Sequence, residues 1–272
     1  MKTRITVIYS LIVALMLVIT ACDPIVDEQH LTNSTTVDGV ELIATQSTPG
    51  GNKITLEMVT PGITGYWNYN LGKALTNKVE IVYPIPGNNT FTYVGTLGGE
   101  FFEKTIEVQI DQLDTPLDQD WYDLVSDNTA AGKTWVFKGG PSPDGQLWWY
   151  MSPPGDPGGW ASVWWNAAGD CCPPADAAGK MTFDLDGGAN FTRYADASGT
   201  PTSSGSFVLD VTNRTLQIND ANILGAGTEG ECGYTPAASF SIISLTEDEL
   251  ILYTPSAAGC GTGWTWIFVP EE

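Results

Sequence analysis

The stretch KMTFDLDGGANFTRY, residues Lys180–Tyr194, decides the fold. Met181, Phe183 and Leu185 alternate with Thr182 and Asp184. A period of two puts the apolar set on one face and the polar set on the other, the pattern of a half-buried strand. Asp186-Gly187-Gly188 then supplies a tight turn, and Ala189–Tyr194 reads as the returning strand. The pattern continues on both sides. Phe207, Leu209 and Val211 share one face, and Trp264, Trp266 and Phe268 share another. The expected strands are Lys133–Lys138, Gln146–Met151, Trp160–Asn166, Lys180–Leu185, Ala189–Tyr194, Gly205–Val211, Arg214–Asn219, Ser239–Leu245, Leu250–Thr254 and Gly263–Val269. Ten strands without a long helix predict a two-sheet sandwich or a closed barrel. Trp121–Val125 reads as a short helical turn that plugs this domain.

Upstream, residues 37–111 read as a smaller domain. Ile54, Leu56 and Met58 alternate with Thr55 and Glu57, and Val79, Ile81 and Tyr83 with Glu80 and Val82. Ile106, Val108 and Ile110 do the same against Thr105, Glu107 and Gln109. Turn signals at Pro61-Gly62, Pro84–Asn89 and Gly98-Gly99 separate the runs. Short antiparallel strands at this spacing predict an immunoglobulin-like sandwich. Residues 112–120, QLDTPLDQD, form a polar linker, and residues 121–272 the larger domain. The chain is therefore expected to be all-β.

The N-terminus is a targeting segment. Lys2 and Arg4 precede an apolar run, Ile5–Ile19, and small residues then lead to Cys22. That order makes a secretory signal; the run is short of the about 20 residues that a spanning helix needs. Ile19-Thr20-Ala21-Cys22 resembles the bacterial lipoprotein lipobox. The resemblance implies removal of residues 1–21, lipid on the Cys22 sulfur, and residues 22–36 as a flexible tether. Acyl chains then hold the protein on the membrane by their buried methylenes. The expected address is the bacterial outer membrane, lipid-anchored and surface-exposed.

The formal net charge is −21 and only 16% of residues are charged. So acidic a chain has no electrostatic footprint for nucleic acid, and it disfavours anionic ligands. Four cysteines follow Cys22: Cys171, Cys172, Cys232 and Cys260. In an oxidising compartment an even number suggests two disulfides, with three pairings open. A vicinal Cys171–Cys172 bridge strains its peptide, which favours joining the pair separately to Cys232 and Cys260.

Two further resemblances bear on function. Gly65-Tyr66-Trp67-Asn68-Tyr69, Val79–Pro84 and Gly87–Tyr93 look like a PKD-type domain, which implies a spacer and no catalysis. Trp67-Asn68-Tyr69-Asn70-Leu71-Gly72 stands where that family carries Trp-Asp-Phe-Gly-Asp-Gly. Gly132–Phe137, Met181–Phe191, Gly205-Ser206-Phe207 and Ile243–Leu250 resemble the lipocalin-like domains of Bacteroidetes lipoproteins, with a tryptophan-rich insertion as the departure. The layout is similar to that of surface glycan-binding lipoproteins, an analogy that carries no functional residue.

Chemistry is restricted. The single histidine, His30, lies in the tether, so no histidine-dependent triad or histidine zinc site is expected. No phosphate-cradling loop of the form G-x-x-x-x-G-K-[ST] is present, and no cofactor or metal is expected. A two-carboxylate glycosidase remains as a minor reading, with Asp144, Asp156, Asp170, Asp176, Asp184, Asp186 and Glu231 as the available acids. Asp184, Asp186 and Asn190 around one turn offer oxygens of the type calcium takes, without a complete ligand loop.

The strongest lead is Gln146–Cys172, which holds five of the ten tryptophans. Trp148, Trp149, Trp160, Trp164 and Trp165 are the expected ligand-binding rings, with Asp156 beside them as hydroxyl acceptor. In a strand Trp148 and Trp149 point to opposite faces, as do Trp164 and Trp165. One of each pair is then core and the other outward. Trp149, Trp160 and Trp165 are the rings whose exposure would separate a platform from packing. Trp67, Trp135, Trp264 and Trp266 read as core. The first expectation is therefore a non-catalytic lipoprotein that binds a polysaccharide or oligosaccharide. The alternative is an envelope lipoprotein whose aromatic surface packs on a protein partner.

Overall fold

The computed structural model describes residues 36–138, 148–152, 165–167, 173–225, 239–255 and 261–272. Seven strands between residues 42 and 110 make two sheets. One holds β1 (Leu42–Gln46), β2 (Lys53–Met58) and β5 (Lys78–Val82) in the order β1-β2-β5. The other holds β3 (Thr64–Asn68), β4 (Lys73–Ala74), β6 (Gly87–Leu97) and β7 (Glu100–Ile110) in the order β4-β3-β6-β7. This is an immunoglobulin-like sandwich. Ile54, Leu56 and Met58 turn inward and their neighbours outward, as their alternation predicts. The sheets meet on Trp67, Phe91, Tyr93 and Tyr83, all buried. Trp67 meets the Tyr93 ring edge-on at 5.3 Å. Its Nε1 donates to the Asn77 carbonyl at 3.1 Å, and the Tyr93 hydroxyl donates to Asn77 Oδ1 at 2.5 Å. One loop asparagine thus satisfies both polar handles of the aromatic core.

Residues 112–120 are strapped to the sandwich. Gly51 and Gln112 form a parallel bridge. The buried Asn52 side chain donates to the Thr115 carbonyl and accepts from the Thr115 amide, both at 2.9 Å. Helix α1 (Gln119–Val125) follows, with the Asp118 side chain accepting from the Asp120 amide at its start. Asp and Asn serve that position because their short side chains reach otherwise unpaired amides.

Next come β8 (Lys133–Phe137), β9 (Trp149–Ser152), β10 (Trp165–Ala167), β11 (Lys180–Asp184), β12 (Asn190–Tyr194), β13 (Ser203–Asp210), β14 (Thr215–Asn219), β15 (Ser239–Thr246), β16 (Glu249–Pro255) and β17 (Gly263–Pro270). All neighbours are antiparallel. From β11 to β17 they run in sequence, β8 pairs with β11, and β17 pairs back onto β8. Eight strands therefore close a lipocalin-like barrel. β17 forks: Phe268–Pro270 pair with β8, and Gly263–Trp266 pair with β9. The tryptophan-rich insertion is thereby attached to the half of β17 that the barrel seam leaves open.

Side chains fill the barrel. Phe183 lies 5.0 Å from Phe191 and 5.3 Å from Phe207, and Phe240 meets Trp266 edge-on at 5.9 Å. Helix α1 closes one end with buried Trp121, Leu124 and Val125. Trp135 Nε1 donates to the Leu124 carbonyl at 3.0 Å, fastening plug to wall. From Val37 to Glu272 the chain is one compact unit.

Candidate functional site

The predicted tryptophan platform is only partly within the described residues. Trp149 is 6% exposed and its ring lies 6.4 Å from that of Phe137. It does not face solvent as the platform requires. The register explains why: Trp149 is paired with Trp266, and cross-strand partners share a face. Trp266 fills the barrel, so Trp149 follows it inward. Trp148 is half-buried and packs against the core. The backbone of Trp165 pairs with Met151. Cys22, Asp144, Asp156, Trp160, Trp164, Asp170, Cys171, Cys172, Glu231, Cys232 and Cys260 lie outside the described residues.

Of the remaining candidate acids, Asp186 is exposed at a turn, and Asp184 and Asp176 are occupied. Asp184 Oδ1 accepts from the Asp186 amide at 3.0 Å and from Asn190 Nδ2 at 2.7 Å, which locks the hairpin turn. Asp176 is buried, paired with Arg193 at 2.5 Å, and accepts from the Gly225 amide. Among the described residues no group of three metal-ligating side chains comes together.

A different site appears where the sandwich meets the barrel. The β3–β4 turn brings Tyr69, Leu71 and Gly72, and the end of β5 brings Ile81 and Tyr83. The β13–β14 turn brings Asp210, Val211 and Thr212, and α1 brings Trp121. Together they line a cleft of about 400 Å³. A second hollow of about 280 Å³ shares Leu71 and Tyr83 with it. Gly72 makes the first wall possible, since a Cβ there would sit 2.6 Å from the Tyr69 hydroxyl. Arg214 pairs with Asp120 at 3.2 Å and ties the opposite wall to α1.

Three polar groups mark the cleft. Asp210 accepts from the Asn213 amide at 2.9 Å and from Asn213 Nδ2 at 2.7 Å. These bonds hold its carboxyl below the usual range, so it is a carboxylate at neutral pH. Burial, and then the charge of Asp210, pushes the Tyr69 hydroxyl up. Tyr83 is 1% exposed. Burial raises its hydroxyl too, with Asn70 partly offsetting the effect. The Asn70 amide donates to the Thr90 carbonyl at 3.2 Å, and no hydrogen bond of normal geometry closes between Asn70 and the Tyr83 hydroxyl. The Tyr83 hydroxyl is thus a buried polar group without a partner among the described residues, which is costly to leave unmade.

A larger hollow, about 660 Å³, lies beside α1 and is lined by Asp123, Asp127, Glu247, Asp248 and Lys133. It is the poorer candidate. Lys133 already donates to the carbonyls of Asp123 at 2.7 Å and Glu247 at 3.2 Å. Burial lowers the pKa of this lysine, against the pull of the nearby acids. Its work is to tie helix to strand turn.

No protein-family model matches this chain, and no curated protein matches it. The functional reading rests on the residues themselves. The cleft was hidden in the sequence because Tyr69 and Tyr83 stand well over a hundred positions before Asp210. The only local signal was an aromatic beside a turn, Tyr69-Asn70-Leu71-Gly72.

Proposed function

We propose that this chain is an exported, lipid-anchored protein of the bacterial outer membrane that binds carbohydrate without chemical turnover. The observation that carries the reading is the cleft, which sets an unpartnered tyrosine hydroxyl and an ionised carboxylate among aromatic, aliphatic and polar side chains. Sugars present C–H faces to aromatic and aliphatic surfaces and hydroxyls to acceptors. The cleft is of the size and mixed lining that small-ligand sites have. In this reading the sandwich is more than the spacer that a PKD-like domain implies, because it supplies half of the site. The leader and Cys22 support export and lipidation. The occupied state of Asp176 and Asp184 and the absence of a histidine outside the tether support binding over catalysis.

Intrinsic fluorescence of the purified chain, titrated with a panel of plant, algal and host polysaccharides, tests the reading. A saturable shift with one glycan is expected, lost in Tyr69→Ala and kept in Trp148→Ala. Loss in Trp148→Ala or Trp165→Ala alone would return the site to the tryptophan stretch. The protein-partner alternative has its own support: Phe101 and Leu75 on the sandwich are 84% and 86% exposed. It predicts a flat response to every glycan, together with Phe101→Ser releasing the chain from membrane assemblies on native gels.

A further inference from the structure

The chain holds eleven lysines and arginines against thirty-two acids, and every described cation is committed elsewhere. Lys53, Lys78, Lys138, Lys180, Arg193 and Arg214 each pair with a carboxylate. Lys104 and Lys133 donate to backbone carbonyls. Lys73 is among the cleft-lining residues, with its ammonium 5.5 Å over the Tyr66 ring and no carboxylate paired with it. None of these contacts is to Asp210, which faces the cleft without a counterion among the described residues. Its bonds to Asn213 use two of the roughly four acceptor positions of a carboxylate. The remaining positions are held still by the turn, so little ordering is lost when a donor arrives.

We propose that the cleft selects a sugar bearing a free amine, with the ammonium on Asp210, the ring against Tyr69 and a ring hydroxyl on the Tyr83 hydroxyl. The inference rests on the carbohydrate reading above and names the class of sugar. A simple alkylammonium leaves Tyr83 unpartnered. A uronate meets Asp210 with like charge and meets the net charge of −21 at longer range. An acetylated amine keeps its shape but loses the charge-assisted bond, which is about twice as strong as a neutral one.

The test compares a glucosamine trisaccharide with its fully N-acetylated counterpart on the full chain in detergent, by calorimetry at physiological ionic strength. The free amine is expected to bind roughly ten- to hundredfold tighter. Asp210→Asn should bring that ratio near one. Tyr83→Phe should weaken both sugars alike and leave the ratio intact. Thr212→Lys places a competing cation in the cleft lining and should erase the preference even if Asp210→Asn folds poorly. Glu107→Gln, at an exposed acid on β7, should change nothing. Equal loss in Glu107→Gln and Asp210→Asn overturns the inference, since bulk charge would then explain the preference. Equal binding of the two sugars, with both lost in Tyr69→Ala, overturns amine selection and leaves the carbohydrate cleft standing. Failure of these sugars and of every panel glycan overturns the carbohydrate reading itself.

Discussion

At the scale of single residues, Asp176 and Arg193 show how a candidate acid becomes a structural one. The Asp176 carboxylate is buried, takes one bond from Arg193 at 2.5 Å, and takes the Gly225 amide on both oxygens at 3.0 and 3.1 Å. Removing one member of a buried pair strands the other charge and costs about 3–5 kcal/mol. The Arg193 side chain keeps some solvent contact, which places the expected loss for Asp176→Ala at the lower end of that range. Urea unfolding of Asp176→Ala and Arg193→Met, with the double substitution Asp176→Leu/Arg193→Met, checks this. The double variant should recover most of the lost stability, because apolar replacement of a buried pair is often neutral. A double variant no better than the worse single one would mean that the Gly225 bonds dominate. In the sequence Asp176 was one acid of many. Its partner stands seventeen positions on in β12, and the turn that precedes β11 carries Asp176 to it.

At the scale of elements, alternation made most of the closed barrel's strands legible, but it did not mark β1 or β4, and it set β9 at Gln146–Met151 and β10 at Trp160–Asn166 where Trp149–Ser152 and Trp165–Ala167 are observed. Lys180–Tyr194 folds as a hairpin whose observed strands, Lys180–Asp184 and Asn190–Tyr194, fall within a residue of expectation. The short helix at Trp121–Val125 was legible as a plug because it had few residues and an apolar face. The orientation of Trp148 and Trp149 was not. Alternation says that adjacent strand residues part, but which one turns inward depends on the pairing of β9 with β17, a fact of register and not of pattern. The site was hidden for a related reason: each of its walls is an ordinary turn, and only their juxtaposition makes a cleft. Helix α1 links the two matters. Trp121 lies 6.0 Å from Phe207 in the barrel and also lines the cleft. Trp121→Ala should cost about 3–5 kcal/mol as a large-to-small core change. It should weaken glycan binding as well, whereas Leu250→Ala deep in the barrel should lower stability and leave binding alone. Thermal unfolding and fluorescence titration of both variants separate the two effects. Equal loss of binding in both would assign the Trp121 effect to stability.

At the scale of the whole molecule, the sandwich and the barrel behave as one body only if the strap between them holds. Asn52 is wholly buried, and its amide makes both bonds that a neighbouring strand would make to Thr115. Asp114 Oδ1 accepts from the Asn52 backbone amide at 3.3 Å, so the strap is held at Asp114 as well as at Thr115. Short polar segments between domains are ordinarily where domains move, and that is how the sequence of residues 112–120 reads. The side chain that cancels this freedom lies some sixty positions earlier, in a Gly-Gly-Asn turn. With the strap intact, residues 37–272 should unfold in one transition whose calorimetric and van't Hoff enthalpies agree. Asn52→Ala leaves the Thr115 amide and carbonyl without their partners, at about 1–3 kcal/mol for each group that water does not reach. If the strap couples the two parts, that loss appears as two resolved transitions, and the Thr115 amide exchanges faster with solvent. The cleft walls would then drift relative to one another, so the preference between amine and acetamide sugars should fall without any substitution in the cleft. Two transitions already present in the unaltered chain would show that the parts melt independently, and the cleft would then owe its shape to the Arg214–Asp120 tie instead.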